Sequence, residues 1–272
     1  MYKIQTNCLR LFIAVMILFQ LSGCIKVPDP LNPADAANVY TGCRIKQIAN
    51  QPVPSGVVST HLFKYNSNND PVSVTNRSGG TGDPNLVFTY DYKNRLIEYS
   101  GIYANGYFEF VHHYGYSQNR IATDTQYVFG VYSTLSNYHS KRISYLHYDD
   151  LNRVAADSEV YIYPSIFSDV ISYLYDQKGN LSKYDNDGKG IPYSYLYDNN
   201  LNPRRTNKIW MFIDRDYSVN NAVAASSYNT YSLPVNYNFH ATNVSGGIVY
   251  GLNLQFAYRY YYGSSQIAYD CK

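Results

Sequence analysis

A short segment recurs along this chain at intervals of a few dozen residues, and such self-similarity constrains the fold more than any composition does. Tyr90-Asp91-Tyr92-Lys93-Asn94-Arg95-Leu96 aligns with Tyr148-Asp149-Asp150-Leu151-Asn152-Arg153-Val154 and with Tyr175-Asp176-Gln177-Lys178-Gly179-Asn180-Leu181. Looser copies begin at Tyr65, at Tyr197 and, one residue short, at Tyr116. The first tyrosines are separated by 25, 26, 32, 27 and 22 residues. The lead-in recurs as well, as Ser144-Tyr145-Leu146, Ser172-Tyr173-Leu174 and Ser194-Tyr195-Leu196.

One unit can be read physically. Alternation such as Tyr173-Leu174-Tyr175 puts tyrosines on one sheet face and the aliphatic on the other. The polar residues that follow supply a turn, where Asn, Asp and Gly tolerate positive φ. Leu181 then opens a return strand. Each unit is thus a β-hairpin, and the copies pair edge to edge. With 33 tyrosines in 272 residues, a residue type suited to half-wet strands is abundant. The expected fold is all-β, an antiparallel meander of repeated hairpins forming one curled or barrel-like domain over residues 43–272. The stretch Ile209-Trp210-Met211-Phe212-Ile213 breaks the alternation. It reads as a buried strand or as a short helix plugging one face, and we favour the plug. Closing strands are expected over Pro234–His240, Ile248–Tyr262 and Gln266–Cys271.

The unit resembles the YD repeat, Y-D-x-x-G-[RN]-L, of RHS-type proteins; Tyr175–Leu181 fits every fixed position, and the other copies depart mostly at the glycine. In long RHS chains such repeats form a closed shell around a toxin, or an adhesive filament; six copies are too few for that shell. The chain more closely resembles small Gram-negative lipoproteins of unknown function. These carry an Asn-Pro segment and an Arg-Asp-Tyr-Ser-x-Asn-Asn segment, here Asn202-Pro203 and Arg215–Asn221, followed by two closing strands. The resemblance implies a fold and a location but no activity.

The N-terminus reads as an export signal. Lys3 and Arg10 precede the apolar run Leu11–Phe19, nine residues long and too short to span a bilayer, which takes about 20. Leu21-Ser22-Gly23-Cys24 resembles the bacterial lipobox, which implies a signal peptide over 1–23 and lipid attachment at Cys24. Several acyl chains, at about 0.8 kcal/mol per buried methylene, make a lasting anchor. Residues 24–42, with Pro28, Pro30 and Pro33, read as a lipidated tether. An outer-membrane lipoprotein is expected, its leaflet left open.

Of 22 basic and 20 acidic residues, only Lys3 and Arg10 lie in 1–23, so the mature chain is formally neutral at 20 against 20. Electrostatic capture of nucleic acid is excluded on that balance, and lipid rather than charge is the membrane partner.

Candidate chemistry is sparse. Alternating tyrosines could stack on sugar rings; the glycan-contact candidates are Tyr114, Tyr116, Tyr193, Tyr195 and Tyr197, set against cross-strand ladders that need no ligand. Asp185–Gly190 has the opening spacing of a calcium loop, but Lys189 stands where an oxygen ligand belongs, so no metal site is assigned. The histidines show no paired helical spacing for zinc. No hydrolase elbow, zinc helix or phosphate loop is present in the sequence, and neither an enzyme nor a cofactor is expected. Cys8 leaves with the signal and Cys24 is acylated. Cys43 and Cys271 remain for a disulfide that would join the first and last strands. The expectation is a lipid-anchored envelope protein with a structural or interaction role, its partner a glycan or another envelope protein; the alternative is a glycan-binding lipoprotein.

Overall fold

The structure, a computed structural model, describes residues 35–52, 58–76, 82–186, 191–192, 197–221, 225–239 and 263–272. All of these lie within one compact unit, Asn32–Lys272. Its strands are β1 (Cys43–Pro52), β2 (Ser59–Tyr65), β3 (Pro71–Asn76), β4 (Asn85–Tyr90), β5 (Leu96–Ile102), β6 (Tyr107–Ser117), β7 (Arg120–Val131) and β8 (Ser140–Tyr148). They continue as β9 (Val154–Tyr163), β10 (Phe167–Tyr175), β11 (Leu181–Asn186) and β12 (Ile191–Pro192). After the helix α1 (Lys208–Asp214) come β13 (Ser227–Tyr228), β14 (Pro234–Phe239) and β15 (Gly263–Cys271).

These fifteen strands form one sheet in which β1 to β12 follow sequence order and so do β13 to β15, the two runs being joined by the pairing of β15 with β1. Every pairing is antiparallel. The all-β meander is therefore present. Its edge strands, β12 and β13, have two residues each, and edges that short offer little template for foreign strands.

The repeat explains the hairpin geometry. In the turns after four of the repeat tyrosines, one side chain takes two backbone N–H groups: Asp91 those of Lys93 and Arg95, Asp149 those of Leu151 and Arg153, Asp176 those of Lys178 and Asn180. Asn66 does the same for Asn68 and Asp70. The glycine position has φ 82° at Gly179, and Asn69, Asn94 and Asn152 hold the same left-handed region at 58–65°. Asparagine is the residue that replaces glycine there at least cost. In the shorter copy, Gln118 and Asn119 both have positive φ, as a two-residue hairpin turn demands.

Directly before five of the six repeat tyrosines the register slips by one residue: at Lys64/Tyr65, Thr89/Tyr90, Gly115/Tyr116, His147/Tyr148 and Leu174/Tyr175. Bulges bend and twist a strand pair, and here they recur at the turn end of the hairpins β2–β3, β4–β5, β6–β7, β8–β9 and β10–β11. The sheet curls accordingly. Flat, β2 to β10 would span roughly 38 Å at about 4.8 Å per strand, whereas a helix of seven residues is roughly 10 Å long. Yet the segment that begins with α1 touches both extremes. Trp210 packs edge-on against Phe63 and Phe88, and Tyr175 donates its hydroxyl to the Arg215 carbonyl.

The Ile209–Ile213 stretch is therefore the helical plug. Asn207 caps α1 by accepting the Ile209 N–H, and Arg215 closes it at φ 51°. Ile209, Trp210, Met211 and Phe212 are buried with Ile45, Ile48, Leu86, Tyr99, Val154 and Leu181. Which residue of a Tyr-Leu pair faces this core differs between copies: Tyr173 is buried while Leu174 is exposed, and Leu146 is buried while Tyr145 is exposed.

Residues 35–42, expected as part of the tether, pack instead on the turn end of the sheet. Ala36 N–H bonds the Leu151 carbonyl, Tyr40 N–H bonds that of Arg205, and the buried Arg205 guanidinium donates to the carbonyls of Asp35, Asn38 and Tyr217. The reason is the demand of a buried arginine for acceptors, which this segment supplies. Ile248–Tyr262 lies outside the described residues.

Candidate functional site

Two places on this scaffold gather chemistry. The first lies inside the curl. His112 on β6, Asp124 and Gln126 on β7, Arg142 and Ser144 on β8, Asp157 and Glu159 on β9 and Tyr173 on β10 share the face that meets α1. Arg215, set by its left-handed cap, reaches Asp124 at 3.3 Å and Asp157 at 3.2 Å. His112 Nδ1 lies 2.9 Å from Asp124, Tyr173 donates to Asp157, and Arg142 pairs with Glu159 at 2.7 Å.

Burial pushes the Asp124 and Glu159 carboxyls toward their neutral forms, and the partners decide the outcome. Asp124 ends below the ordinary carboxylate range, because His112 and Arg215 outweigh its burial. Glu159 ends above that range, its burial outweighing Arg142 and Tyr161. Directly before Arg215, Asp214 is pushed up to about 6 by burial, although Arg204 opposes it. With its carboxylates engaged by guanidinium, imidazole and phenol groups, this layer is built to hold α1 in one position.

The second place is a cleft of about 460 Å³ at the turn end. Thr41–Arg44, Asp270 and Lys272 form one wall; Asn68–Asp70 and Thr206–Lys208 form the other. The disulfide Cys43–Cys271 stands at its edge, with an S–S distance of 2.05 Å. The two cysteines face each other as register partners of β1 and β15.

The other sequence candidates fall as follows. Cys24, Tyr193 and Tyr195 lie outside the described residues. Tyr114 is buried against Phe212, so the expected glycan contact there is corrected: its ring is part of the core. Tyr116 is half-buried, with the Arg95 guanidinium 4.5 Å above its ring and its hydroxyl on the Leu96 carbonyl. Tyr197 likewise donates to the Leu181 carbonyl. Asp185 pairs with Lys183, and Asp187–Gly190 are outside the described residues. Among the described residues, no group of three or more His, Cys, Asp or Glu side chains is placed to hold a metal ion.

Two features escaped the sequence reading. One is the interior charge layer, whose members lie tens of residues apart. The other is a further repeat turn, Tyr228-Asn229-Thr230-Tyr231-Ser232-Leu233-Pro234. Asn229 accepts the Tyr231 and Leu233 N–H groups, and Ser232 has φ 59°. The tyrosine, the amide two positions before a polar pair and the closing Leu-Pro were the available signal.

The chain matches no family model and no curated protein. Among solved structures it is similar to a mutant Photorhabdus luminescens Tc holotoxin pore, with 11% identity and a TM-score of 0.19 over 71% of this chain. It spans 13% of that chain's length, and a score so low establishes no common fold.

Proposed function

We propose that this chain is a lipid-anchored protein of the cell envelope whose curled sheet of YD-like hairpins is a rigid body for structure or interaction. The observation that carries this reading is the Cys43–Cys271 disulfide. Such bonds persist in oxidising compartments and are rare in the cytosol, which agrees with an export signal ending at the lipobox cysteine, Cys24. The charge layer supports the interaction role over catalysis, since its carboxylates are spent on fixing α1. The test is to express the full chain with Cys24→Ala. The variant should lose palmitate labelling and leave the membrane fraction; continued labelling would refute the anchor.

A second reading, glycan capture, is favoured by a group of rings on the face opposite the core. Tyr138 packs edge-on against both Tyr127 and Tyr163, and Lys141 lies over Tyr127. Tyr163 is 48% exposed. A glycan array probed with the detergent-solubilised full chain separates the two readings: retention on a defined oligosaccharide supports capture, and an empty array leaves the structural role.

A further inference from the structure

Three side-chain links join the repeat Tyr90–Leu96 to the next, and the first two of them recur from Tyr148–Val154 to Tyr175. Asp91 binds Arg95 side-on, through Nε at 2.8 Å and Nη2 at 2.7 Å. The Arg95 guanidinium then covers the ring of the next repeat's Tyr116, and the Tyr116 hydroxyl donates to the Leu96 carbonyl. Asp149 and Arg153 repeat the first link at 2.7 Å, and Arg153 covers Tyr175 at 3.9 Å.

The same links occur once more, between the two ends of the chain. Asp270 binds Arg44 through Nε at 3.0 Å and Nη2 at 2.7 Å. Arg44 covers Tyr65 at 5.2 Å, and the Tyr65 hydroxyl donates to the Ile45 carbonyl at 2.8 Å. Upstream, Tyr269 donates to the Pro234 carbonyl as Tyr90 does to that of Pro71. Tyr269-Asp270 and Arg44-Ile45 therefore occupy the Y-D and R-L positions of one repeat. No turn joins them. Cys271 and Cys43 stand in its place, Lys272 N–H bonds the Gly42 carbonyl at 2.9 Å, and the cleft of about 460 Å³ opens where the other repeats carry turn residues.

We propose that this split repeat is a redox latch: a dithiol reductant of the thioredoxin-like chemical class opens the Cys43–Cys271 bond and frees the seam between β1 and β15 while the remaining hairpins stay folded. Cys43 is 2% exposed whereas Cys271 is half-buried, so attack falls on Cys271 Sγ. A reductant thiolate forms a mixed disulfide there and expels the Cys43 thiolate, which takes a proton. The second reductant thiol then displaces Cys271 and becomes oxidised in turn. Two electrons and two protons pass to the protein, and the reductant leaves as its own disulfide. The split repeat is then held by the β1–β15 ladder, the Lys272 N–H bond to Gly42 and the side-chain links at Arg44, without the covalent turn that every other repeat keeps, and opening is local.

The full chain treated with dithiothreitol under native conditions, followed by hydrogen exchange and thiol alkylation, tests this. Both cysteines should become alkylatable. Amide exchange over 42–46 and 268–272 should rise at least tenfold, with that over 96–121 unchanged. Cys43→Ser/Cys271→Ser should show the same local pattern without reductant. In the reduced chain, Asp270→Asn should speed seam exchange further, but not in the oxidised one. Thiols that react only in denaturant, a seam unchanged by reduction, or exchange that rises equally across β4–β9 would each overturn the latch, the last by making the bond a staple of the whole fold.

Discussion

Around Trp210 the inner face of the sheet is lined by rings and aliphatics; around Arg215, five residues on, the same face carries His112, Asp124, Asp157 and, farther along, Arg142 and Glu159. The apolar layer draws on positions that every hairpin supplies, such as Leu96, Ile121, Val154 and Leu181. The charge layer draws on single residues of β6 to β10. Apolar contact is forgiving of direction, so the first layer gives cohesion. A guanidinium held between two buried carboxylates admits one placement, so the second layer fixes where the plug sits.

Substitutions can separate the two contributions. Trp210→Ala removes ring contacts with Phe63, Tyr65 and Phe88, and should cost about 4–5 kcal/mol in urea denaturation. Arg215→Met should cost about 3–4 kcal/mol, because Asp124 and Asp157 then lose their cation. Adding Asp124→Asn and Asp157→Asn to Arg215→Met should recover most of that loss. A triple variant as unstable as the single one would show that packing, not charge, decides the layer.

The smallest effect concerns pH. The carboxyl of Asp214 titrates near 6 in the folded chain and near 3.8 when free. Because the folded value is the raised one, its contribution is complete below pH 3.8 and fades as pH rises to 6. The stability of the parent chain minus that of Asp214→Asn should therefore fall across that window by up to about 3 kcal/mol and be flat above it. A difference that instead grows with pH would mean that Arg204 dominates the site.

How much of this was legible follows from range. Turn chemistry is local, so Asp91, Asn94, Asp149 and Gly179 reveal their hairpins within seven residues, and the meander follows. The helix was legible in part, because Ile209–Ile213 lacks the period of a strand, although the reading left two states open. Arg215 was invisible as an ion-pair partner: Asp124 and Asp157 lie 91 and 58 residues away in sequence, and nothing local distinguishes them from solvated strand residues. Tyr114 was misread for a related reason. Alternation says which residues share a face, but not which face the sheet turns inward.

The way the N-terminal segment lies on the turn end has a mechanical consequence. Tension applied upstream of Asp35 meets the Arg205 guanidinium first, through its bonds to the Asp35 and Asn38 carbonyls. It passes next to the Tyr40 amide on Arg205 and then to Cys43, where the covalent bond to Cys271 takes the load. With that bond closed, force cannot peel β1 from β15 one rung at a time; it must shear rungs together. The molecule is thus reinforced where tension from its N-terminal side enters the sheet, and the oxidation state of one bond decides whether that load crosses to β15 through a covalent link.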